Sequence, residues 1–251
     1  MFNFFAEKDA RQGDYFYISG SDYNHIRNVL RMKTGEEFLV SCGGISSLCR
    51  LDGFEGDSAV AEIIEENYQS TDLPIKIYLF QGLPKSDKME LIIQKSVELG
   101  VHAIIPTEMS RCVVKLDDKK KKSKTQRWQT IAESAAKQSK RSAVPEVYES
   151  LSYKEALDMA KDLDILMIPY ECENGMQDTK TVLSQIKEGS SVGIIIGPEG
   201  GFEESEVEKA VAVGGRSISL GKRILRTETA AITAVGMVML YSEMNLGGET
   251  E

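Results

Sequence analysis

Residues 191–201 have the sequence SVGIIIGPEGG, an apolar run that ends in a loop with three glycines and a proline. A short apolar run bounded by turn residues is typical of a strand buried on both faces, as in a parallel sheet. In such sheets, ligands bind beyond the carboxyl ends of the strands, in the strand-to-helix loops. This segment therefore indicates a fold class and a place to look for function.

Apolar runs and amphipathic segments alternate on both sides of this segment. The predicted strands include IKIYLFQG from Ile75, VHAIIPTE from Val101, DILMIPYE from Asp164 and RSISLG from Arg216. The predicted helices cover residues 87–99, 125–139, 179–187, 203–213 and 227–244. This alternation predicts an α/β domain in which helices cover a parallel sheet. At the start of the first helix, Asp87 and Glu90 have the spacing of a capping box.

The first 70 residues have a different texture. Short strands are predicted at 15–18, 37–41 and 59–64, separated by glycine-containing turns such as Asp52-Gly53, with one helix at 22–32. The chain is therefore predicted to contain a small β-rich domain over 1–70 and an α/β domain over 74–251. The last helix, 227–244, is apolar almost all round, which fits either deep core or a subunit interface.

Composition excludes several classes of protein. Of the 251 residues, 41% are hydrophobic and 27% charged, the balance of a globular protein with a real core. The N-terminus does not resemble a secretory signal, and the most apolar stretch, Ala230 to Leu240, is shorter than the roughly 18 residues of a membrane span. The two histidines and four cysteines are scattered without metal-site spacing, so we expect no metal and idle thiols in a reducing cytoplasm: His25, His102, Cys42, Cys49, Cys112 and Cys172.

Charge is unevenly distributed along the chain. The formal net charge is −9, yet between Arg111 and Arg141 eleven Lys or Arg residues face three acidic residues, an excess of eight. Such asymmetry suggests one surface that attracts phosphates and a body that keeps the protein in solution. The Lys119–Lys122 run within this segment is interpreted as a solvated loop.

Three predicted strand-end loops could hold a cofactor. They are Pro169-Tyr170-Glu171, Gly197 to Gly201, and Gly221 to Glu228. Their glycines allow backbone groups to approach a ligand closely, and Ile224 and Leu225 could form the walls of an apolar slot. Each loop taken alone also fits an ordinary turn with its apolar residues in the core. The spacing of neither a dinucleotide-binding glycine motif nor a phosphate-binding loop is present.

IIIGPEGGF (Ile194 to Phe202) and SLGKRILRTETAA (Ser219 to Ala231) together resemble the C-terminal signature of the knotted SPOUT methyltransferases. Within these, the chain resembles the family that methylates N3 of a uridine in bacterial small-subunit (16S) ribosomal RNA. HIRNVLR from His25, KSDKMELIIQKSVELGV from Lys85, RCVVKLD from Arg111 and RWQTIAESAAKQSKRSAVPEV from Arg127 agree with this, so the resemblance runs nearly end to end.

The resemblance implies a fold, a cofactor and partners. It implies an N-terminal PUA-like β-barrel that docks RNA, a C-terminal domain with a deep trefoil knot, S-adenosyl-L-methionine as cofactor, and a homodimer acting on 16S ribosomal RNA or the 30S subunit. Carried onto this sequence, the cofactor-binding residues are Pro169, Tyr170, Gly197, Pro198, Glu199, Gly200, Leu220, Gly221, Ile224, Leu225 and Arg226. Ser86 and Lys140 stand where similar sequences are expected to have glycine.

Arg226 is the candidate for stabilising negative charge on the uracil, because guanidinium offers permanent donors. An ion pair with Glu199 or Glu228 is its alternative role, and those two glutamates are candidates for the base or for orienting groups. The proposed phosphate contacts are Arg31, Arg111, Arg127, Lys137, Lys140 and Arg141. Trp128 fits either a stacking partner for the target base or a core residue. A non-catalytic RNA-binding assembly factor and a metabolic α/β enzyme remain alternative functions.

Overall fold

The computed structural model describes residues 1–69, 71–170 and 175–246. The chain divides into two compact units. The N-terminal unit comprises Met1–Asp72 and Ala136–Val144, and the C-terminal unit comprises Leu73–Ala135 and Pro145–Glu251. The sequence division at residues 70–74 did not include the 136–144 segment in the first unit. None of the helices in the described ranges is long and apolar enough to cross a membrane.

The N-terminal unit is a six-stranded sheet around an aromatic core. In chain order its elements are β1 (Asn3–Phe5), β2 (Arg11–Gln12), β3 (Tyr15–Ile18), α1 (Gly20–Asn24) with a wider helical turn at His25–Val29, β4 (Glu37–Cys42), β5 (Ile45–Glu55) and β6 (Ser58–Glu66). The strand order is β1-β4-β5-β6-β3-β2, and β1–β4 is the parallel pair among antiparallel ones. Phe4, Phe16 and Phe38 are buried at its centre.

The predicted turn at Asp52-Gly53 is wrong, because β5 runs through it to Glu55. The pairing of β5 with β6 shifts register between Leu51 and Gly53. Glycine at an irregularity of this kind lets a strand bend without ending, so it marks a bulge and not a turn.

The C-terminal unit is an α/β fold, as the alternating pattern predicted. Its elements are β7 (Lys76–Gly82), α2 (Lys88–Glu98), β8 (Ala103–Glu108), α3 (Asp118–Gln138), β9 (Glu146–Val147), β10 (Leu151–Ser152), α4 (Tyr153–Ala160), β11 (Ile165–Pro169), α5 (Met176–Leu183), β12 (Ser191–Ile196), α6 (Glu204–Ala212), β13 (Gly215–Ile218) and α7 (Thr227–Leu246). The last residues of α3, from Ala136, belong to the N-terminal unit.

The sheet of this unit has the order β10-β8-β7-β12-β11-β13, with β9 beside β8, and each of these pairings is parallel. The carboxyl ends of β11, β12 and β13 therefore lie at one edge of the sheet. The trefoil knot that the resemblance implies stays a prediction.

Helix α7 packs against α2, β7 and β12. Ala231, Ala234, Val235 and Val238 are buried on one face, so this side of the helix is core. Leu240 and Met244 on the same helix are 52% and 74% exposed. The helix that looked apolar all round thus has one face in the core and apolar side chains left on the surface.

Two local expectations about helices are wrong. The Lys119–Lys122 run lies in the first turns of α3 and not in a loop. Asp87 precedes α2 but its side chain makes no capping bond, and Glu90 instead pairs with Arg127 at 2.8 Å. A complete capping box occurs at α4, where Ser152 and Glu155 exchange hydrogen bonds; this helix was missed.

Ser86 and Lys140, the two departures from the expected glycines, both adopt left-handed backbone conformations. Their φ angles are 55° and 59°. Glycine adopts this region without penalty, whereas a residue with a Cβ is strained there. The chain thus keeps the conformation of a glycine turn at both positions without the glycine.

Candidate active site

The three loops expected to hold a cofactor line a single cavity of about 1010 Å³. They follow β11, β12 and β13, which end at Pro169, Ile196 and Ile218. The lining includes every residue expected to bind the cofactor: Pro169, Tyr170, Gly197, Pro198, Glu199, Gly200, Leu220, Gly221, Ile224, Leu225 and Arg226. Their role as ligands stays a prediction, and Glu171 lies outside the described residues.

The loop after β12 is joined to the start of α7 by buried hydrogen bonds. The Thr227 hydroxyl donates to the carbonyl oxygen of Gly197 at 2.7 Å and accepts from Nε2 of Gln81 at 3.0 Å. Nε2 of Gln81 also donates to the carbonyl of Gly82 at 2.8 Å. Gln81 is fully buried. This network fixes two cavity loops to the end of β7, and sequence reasoning missed both Gln81 and Thr227.

Close backbone packing explains the glycines at two positions. A Cβ on Gly200 would lie 2.9 Å from Cβ of Arg111, and a Cβ on Gly82 would lie 2.7 Å from the Pro198 nitrogen. Contacts below 3.0 Å force a shift of neighbouring atoms. The Gly197–Gly201 loop therefore needs glycine both within it and in the strand beside it.

Apolar groups form part of the cavity wall. The rings of Tyr170 and Phe202 pack edge to face with centroids 6.2 Å apart, and the Tyr170 N–H donates to the Ile218 carbonyl at 3.1 Å. Ile224 also lines the cavity but is 84% exposed, while Leu225 is half-buried. Ile224 thus stands at the mouth of the cavity and does not lie within a closed slot.

The charges around the cavity are unequal in sign. Among the described residues that line it, five have cationic side chains: Lys88, Arg111, Lys222, Arg223 and Arg226. Glu199 is the only carboxylate among those described residues. Within the described part of the chain, Arg226 forms no ion pair, because Glu199 and Glu228 both pair with Lys88, at 3.1 and 3.3 Å. Among the described residues, the guanidinium of Arg226 thus lies at the cavity without a carboxylate partner.

Lys88 was not among the residues expected at the site. It is the first residue of α2, in the loop-to-helix junction after β7, so its position after a predicted strand was the available signal. Its hydrogen bonds to Glu199 raise the pKa of its ammonium group. Burial raises the pKa of Glu199, but hydrogen bonds from the Lys85 backbone and from Lys88 outweigh it and hold the pKa below its usual value. Both partners are therefore charged near neutral pH.

Two of the proposed RNA contacts are in the C-terminal unit. Arg111 lies at the cavity, where Nη1 donates to the Gly200 carbonyl at 3.0 Å. Arg127 on α3 is 60% exposed and pairs with Glu90. Trp128 beside it is 4% exposed and is a core residue.

The other four lie in the N-terminal unit in contrasting environments. Arg31 and Lys140 are exposed. Lys137 pairs with Asp22 at 2.9 Å. The side chain of Arg141 is 8% exposed, with Asp72 at 3.7 Å, so it has little surface to offer a phosphate. Burial sets Arg141 apart from the lysine beside it.

In the described ranges, no group of three or more His, Cys, Asp or Glu side chains is arranged to hold a metal. Cys42, Cys49 and Cys112 are free thiols, and Cys172 lies outside those ranges. Burial raises the pKa of Cys49 to about 12.

Comparisons with known proteins identify the domains of the chain. Residues 71–239 match a model of the RNA methyltransferase domain, and residues 18–50 match a model of the RNA methyltransferase PUA domain. The chain therefore has the domain of an RNA methyltransferase, preceded by a PUA domain of the kind found in RNA methyltransferases.

Similar proteins of known name show which family of RNA methyltransferases the chain belongs to. The ribosomal RNA small subunit methyltransferase E of Bacillus subtilis is 41% identical over 249 residues, covering 97% of each chain. A solved structure of that enzyme from Neisseria gonorrhoeae, bound to S-adenosyl methionine, is 32% identical with a TM-score of 0.80, covering 96% of this chain and 97% of the other. A Legionella pneumophila methyltransferase in complex with the same cofactor is 29% identical with a TM-score of 0.80, covering 95% of this chain and 97% of the other. The chain belongs to the family of ribosomal RNA small subunit methyltransferase E.

Proposed function

We propose that this protein transfers a methyl group from S-adenosylmethionine to N3 of a uridine in 16S ribosomal RNA. The observation that carries the proposal is the convergence of three strand-end loops on one cavity, in a chain of this family. Relatives of similar fold bind the same cofactor at 29% and 32% identity. In this proposal residues 74–251 form the methyltransferase domain and residues 1–70 form the PUA-like RNA-docking domain.

The residues of the cavity fit this cofactor. Its volume of about 1010 Å³ accommodates a nucleoside with an amino-acid arm, since ligand pockets commonly measure about 300–1,000 Å³. Tyr170, Phe202 and Leu225 offer apolar surface for a base, and Glu199 offers the negative charge that a sulfonium requires. When bound, S-adenosylmethionine supplies a methyl group on a positively charged sulfur.

The chain's residues then have to orient the uracil and accommodate its charge. N3 of uridine carries a proton at neutral pH, so negative charge develops on the ring as that proton passes to water. Arg226 lines the cavity, is exposed and is free of an ion pair within the described residues, so we assign it to stabilising that charge. Glu199, with its lowered pKa, is a weak base, and we assign it to balancing positive charge. Glu228, in the first turn of α7, then orients Lys88 beside it.

RNA binding involves the cationic surface groups. Arg31 and Lys140 on the N-terminal unit, and Arg127 and the α3 lysines on the C-terminal unit, have exposed charge to offer phosphates. We leave Arg141 out of this set because it is buried. The target base has to leave its stack to enter the cavity.

A homodimer in the cytoplasm is the proposed assembly. Leu240 and Met244 leave apolar surface on α7, with Leu91 of α2, which is 42% exposed, on the helix packed against it. Apolar side chains of this size on adjoining helices fit the core of a subunit interface. Sedimentation at several concentrations tests this assembly; a monomer at all of them contradicts it.

The function is tested with Arg226→Ala and with rRNA. Mass spectrometry of 16S ribosomal RNA from cells lacking the protein should show one uridine without its methyl group. Arg226→Ala should fail to restore that methyl group yet bind S-adenosylmethionine in calorimetry as the wild type does. Normal turnover by Arg226→Ala contradicts the role of Arg226. No cofactor binding by the wild-type protein favours the alternative, a non-catalytic RNA-binding assembly factor.

A further inference from the structure

The Lys88 ammonium lies between carboxylates that belong to different segments. Nζ is 3.1 Å from Oε1 of Glu199 and 3.3 Å from Oε2 of Glu228. Glu199 is in the loop after β12, Glu228 is in the first turn of α7, and Lys88 begins α2. One side chain therefore connects three separate parts of the C-terminal unit.

Glu199 is held from the same side by a second donor. The backbone N–H of Lys85 donates to its Oε1 at 3.0 Å. Between the two donors, Ser86 adopts φ of 55°, the left-handed turn described above. The short segment from Lys85 to Lys88 thus presents one backbone donor and one ammonium to the same carboxylate.

The location of Glu199 matters because the other charged groups of the cavity lining, among the described residues, are cationic. They are Lys88, Arg111, Lys222, Arg223 and Arg226, and Glu199 is the only carboxylate in that described set. The side chain of Glu228, which also pairs with Lys88, is 15% exposed. Without a shared cation, two carboxylates this near one another would resist ionising together.

Folding stability does not account for this arrangement. The side chains of Lys88 and Glu199 are each 28% exposed, and ion pairs between partly exposed groups add little to stability. Lys95 on the same helix forms a comparable pair with Glu98 at 2.8 Å, with a 39% exposed side chain. What distinguishes Lys88 is its place at the cavity.

We propose that Lys88 is a positioning residue for methyl transfer: its ammonium holds Glu199 and Glu228 together and so fixes the place of the Glu199 carboxylate at the cavity. The inference rests on the proposed function, because it assumes a positively charged cofactor beside Glu199. It assigns Lys88 no contact with the reacting atoms.

The first test uses the protein without cofactor. Side-chain carboxyl NMR with selectively labelled glutamate, assigned by Glu199→Gln and Glu228→Gln, reports the ionisation of both carboxylates in the wild type, Lys88→Met and Lys88→Arg. In Lys88→Met the Glu199 carboxylate should titrate at higher pH than in the wild type, because the Lys88 ammonium is one of the groups that lower its pKa. Lys88→Arg should titrate as the wild type does, and Lys95→Met is the matched control on α2. Unshifted titration in Lys88→Met overturns the proposal.

The second test measures methylation against pH. Loss of the cation raises the pKa of Glu199, so the acid limb of kcat/KM should move to higher pH in Lys88→Met. In Lys88→Met with Glu228→Gln, removal of one carboxylate should move the limb back towards its original pH. If Lys88 had a merely structural role, Lys88→Met would lower the rate equally across the pH range, and adding Glu228→Gln would not change the pH profile. Observing that result counts against a positioning role. A wild-type protein that methylates no ribosomal RNA contradicts the proposed function instead, and leaves the NMR result to decide on Lys88.

Discussion

Replacing Thr227 by valine removes one hydroxyl from the floor of the cavity and preserves the shape of the side chain. The hydroxyl donates to the Gly197 carbonyl at 2.7 Å and accepts from Gln81 at 3.0 Å. Thr227 is 6% exposed and Gln81 is fully buried, so water cannot easily replace the lost partner. A buried polar group left unpaired costs about 1–3 kcal/mol. Gln81 keeps its hydrogen bond to the Gly82 carbonyl. We therefore expect the loss of the two Thr227 hydrogen bonds to lower the free energy of unfolding by about 2–4 kcal/mol in total.

This loss should be visible in thermal unfolding. A domain of this size loses about 2–4 °C of midpoint per kcal/mol, so Thr227→Val should melt on the order of 5–15 °C lower by circular dichroism. S-adenosylmethionine binding should weaken as well, because the hydroxyl fixes Gly197 at the cavity. Thr227→Ser retains the hydroxyl and should lie near the wild type.

Thr181→Val is the matched control. The Thr181 hydroxyl also donates to a carbonyl, that of Gln177, but on the exposed side of α5. Exposed substitutions of this kind change stability by about 0.5 kcal/mol or less. If Thr227→Val and Thr181→Val have the same melting temperature, the Thr227 hydroxyl does not hold the two loops, and the reasoning from its contacts fails.

Two further predictions concern other parts of the chain. Lys140→Gly removes a Cβ at φ of 59°, so it should stabilise the protein by roughly 1 kcal/mol or less. It also removes an exposed charge, so the slope of log K for RNA binding against log salt concentration should become shallower by about 0.7–0.9. An unchanged slope in filter binding excludes Lys140 as a phosphate contact. The Asp164 carboxylate accepts hydrogen bonds from the Ser191 hydroxyl and N–H, at 2.6 and 2.8 Å, which lower its pKa. The contribution of Asp164 to stability is therefore present above the ordinary aspartate pKa of about 3.9 and is lost as the pH falls through the lower folded pKa. Asp164→Asn should have a lower melting temperature than the wild type at pH 7 and the same melting temperature near pH 2. Equal melting temperatures at pH 7 refute the role of these bonds.

Periodicity and loop chemistry predicted the parts of the site that depend on local sequence. The apolar run before Gly197 ends where β12 ends, and α7 begins at Thr227 as expected, because burial on both faces and the glycine loop leave a strong local signal. The partners of these loops depend on the fold. Gln81 is 146 residues from Thr227, so no spacing connects them.

The environment of the charged side chains was the least predictable property, because the sequence does not show whether a basic residue is exposed or buried. Lys140 and Arg141 are neighbours in the same cationic segment, yet one is exposed and the other is enclosed beside Asp72. Lys88 was overlooked for the converse reason: it lies outside that segment, and its significance comes from carboxylates that are far away in the sequence.

The position of β12 between β7 and β11 has a consequence for how the protein is made. β7 is complete at Gly82, but its partner begins at Ser191, roughly 110 residues later, which at about 5–20 residues per second is a wait on the order of 5–20 s. Throughout that interval, the backbone groups along one side of β7 in the nascent chain have no partner strand. An unpaired strand edge of this kind is prone to pairing with the wrong strand. The hydrogen bond between Thr227 and Gly197 needs Thr227 itself, which lies 30 residues beyond Gly197. The candidate active site can therefore be completed only after Thr227 has been synthesised and has left the ribosome that produces it.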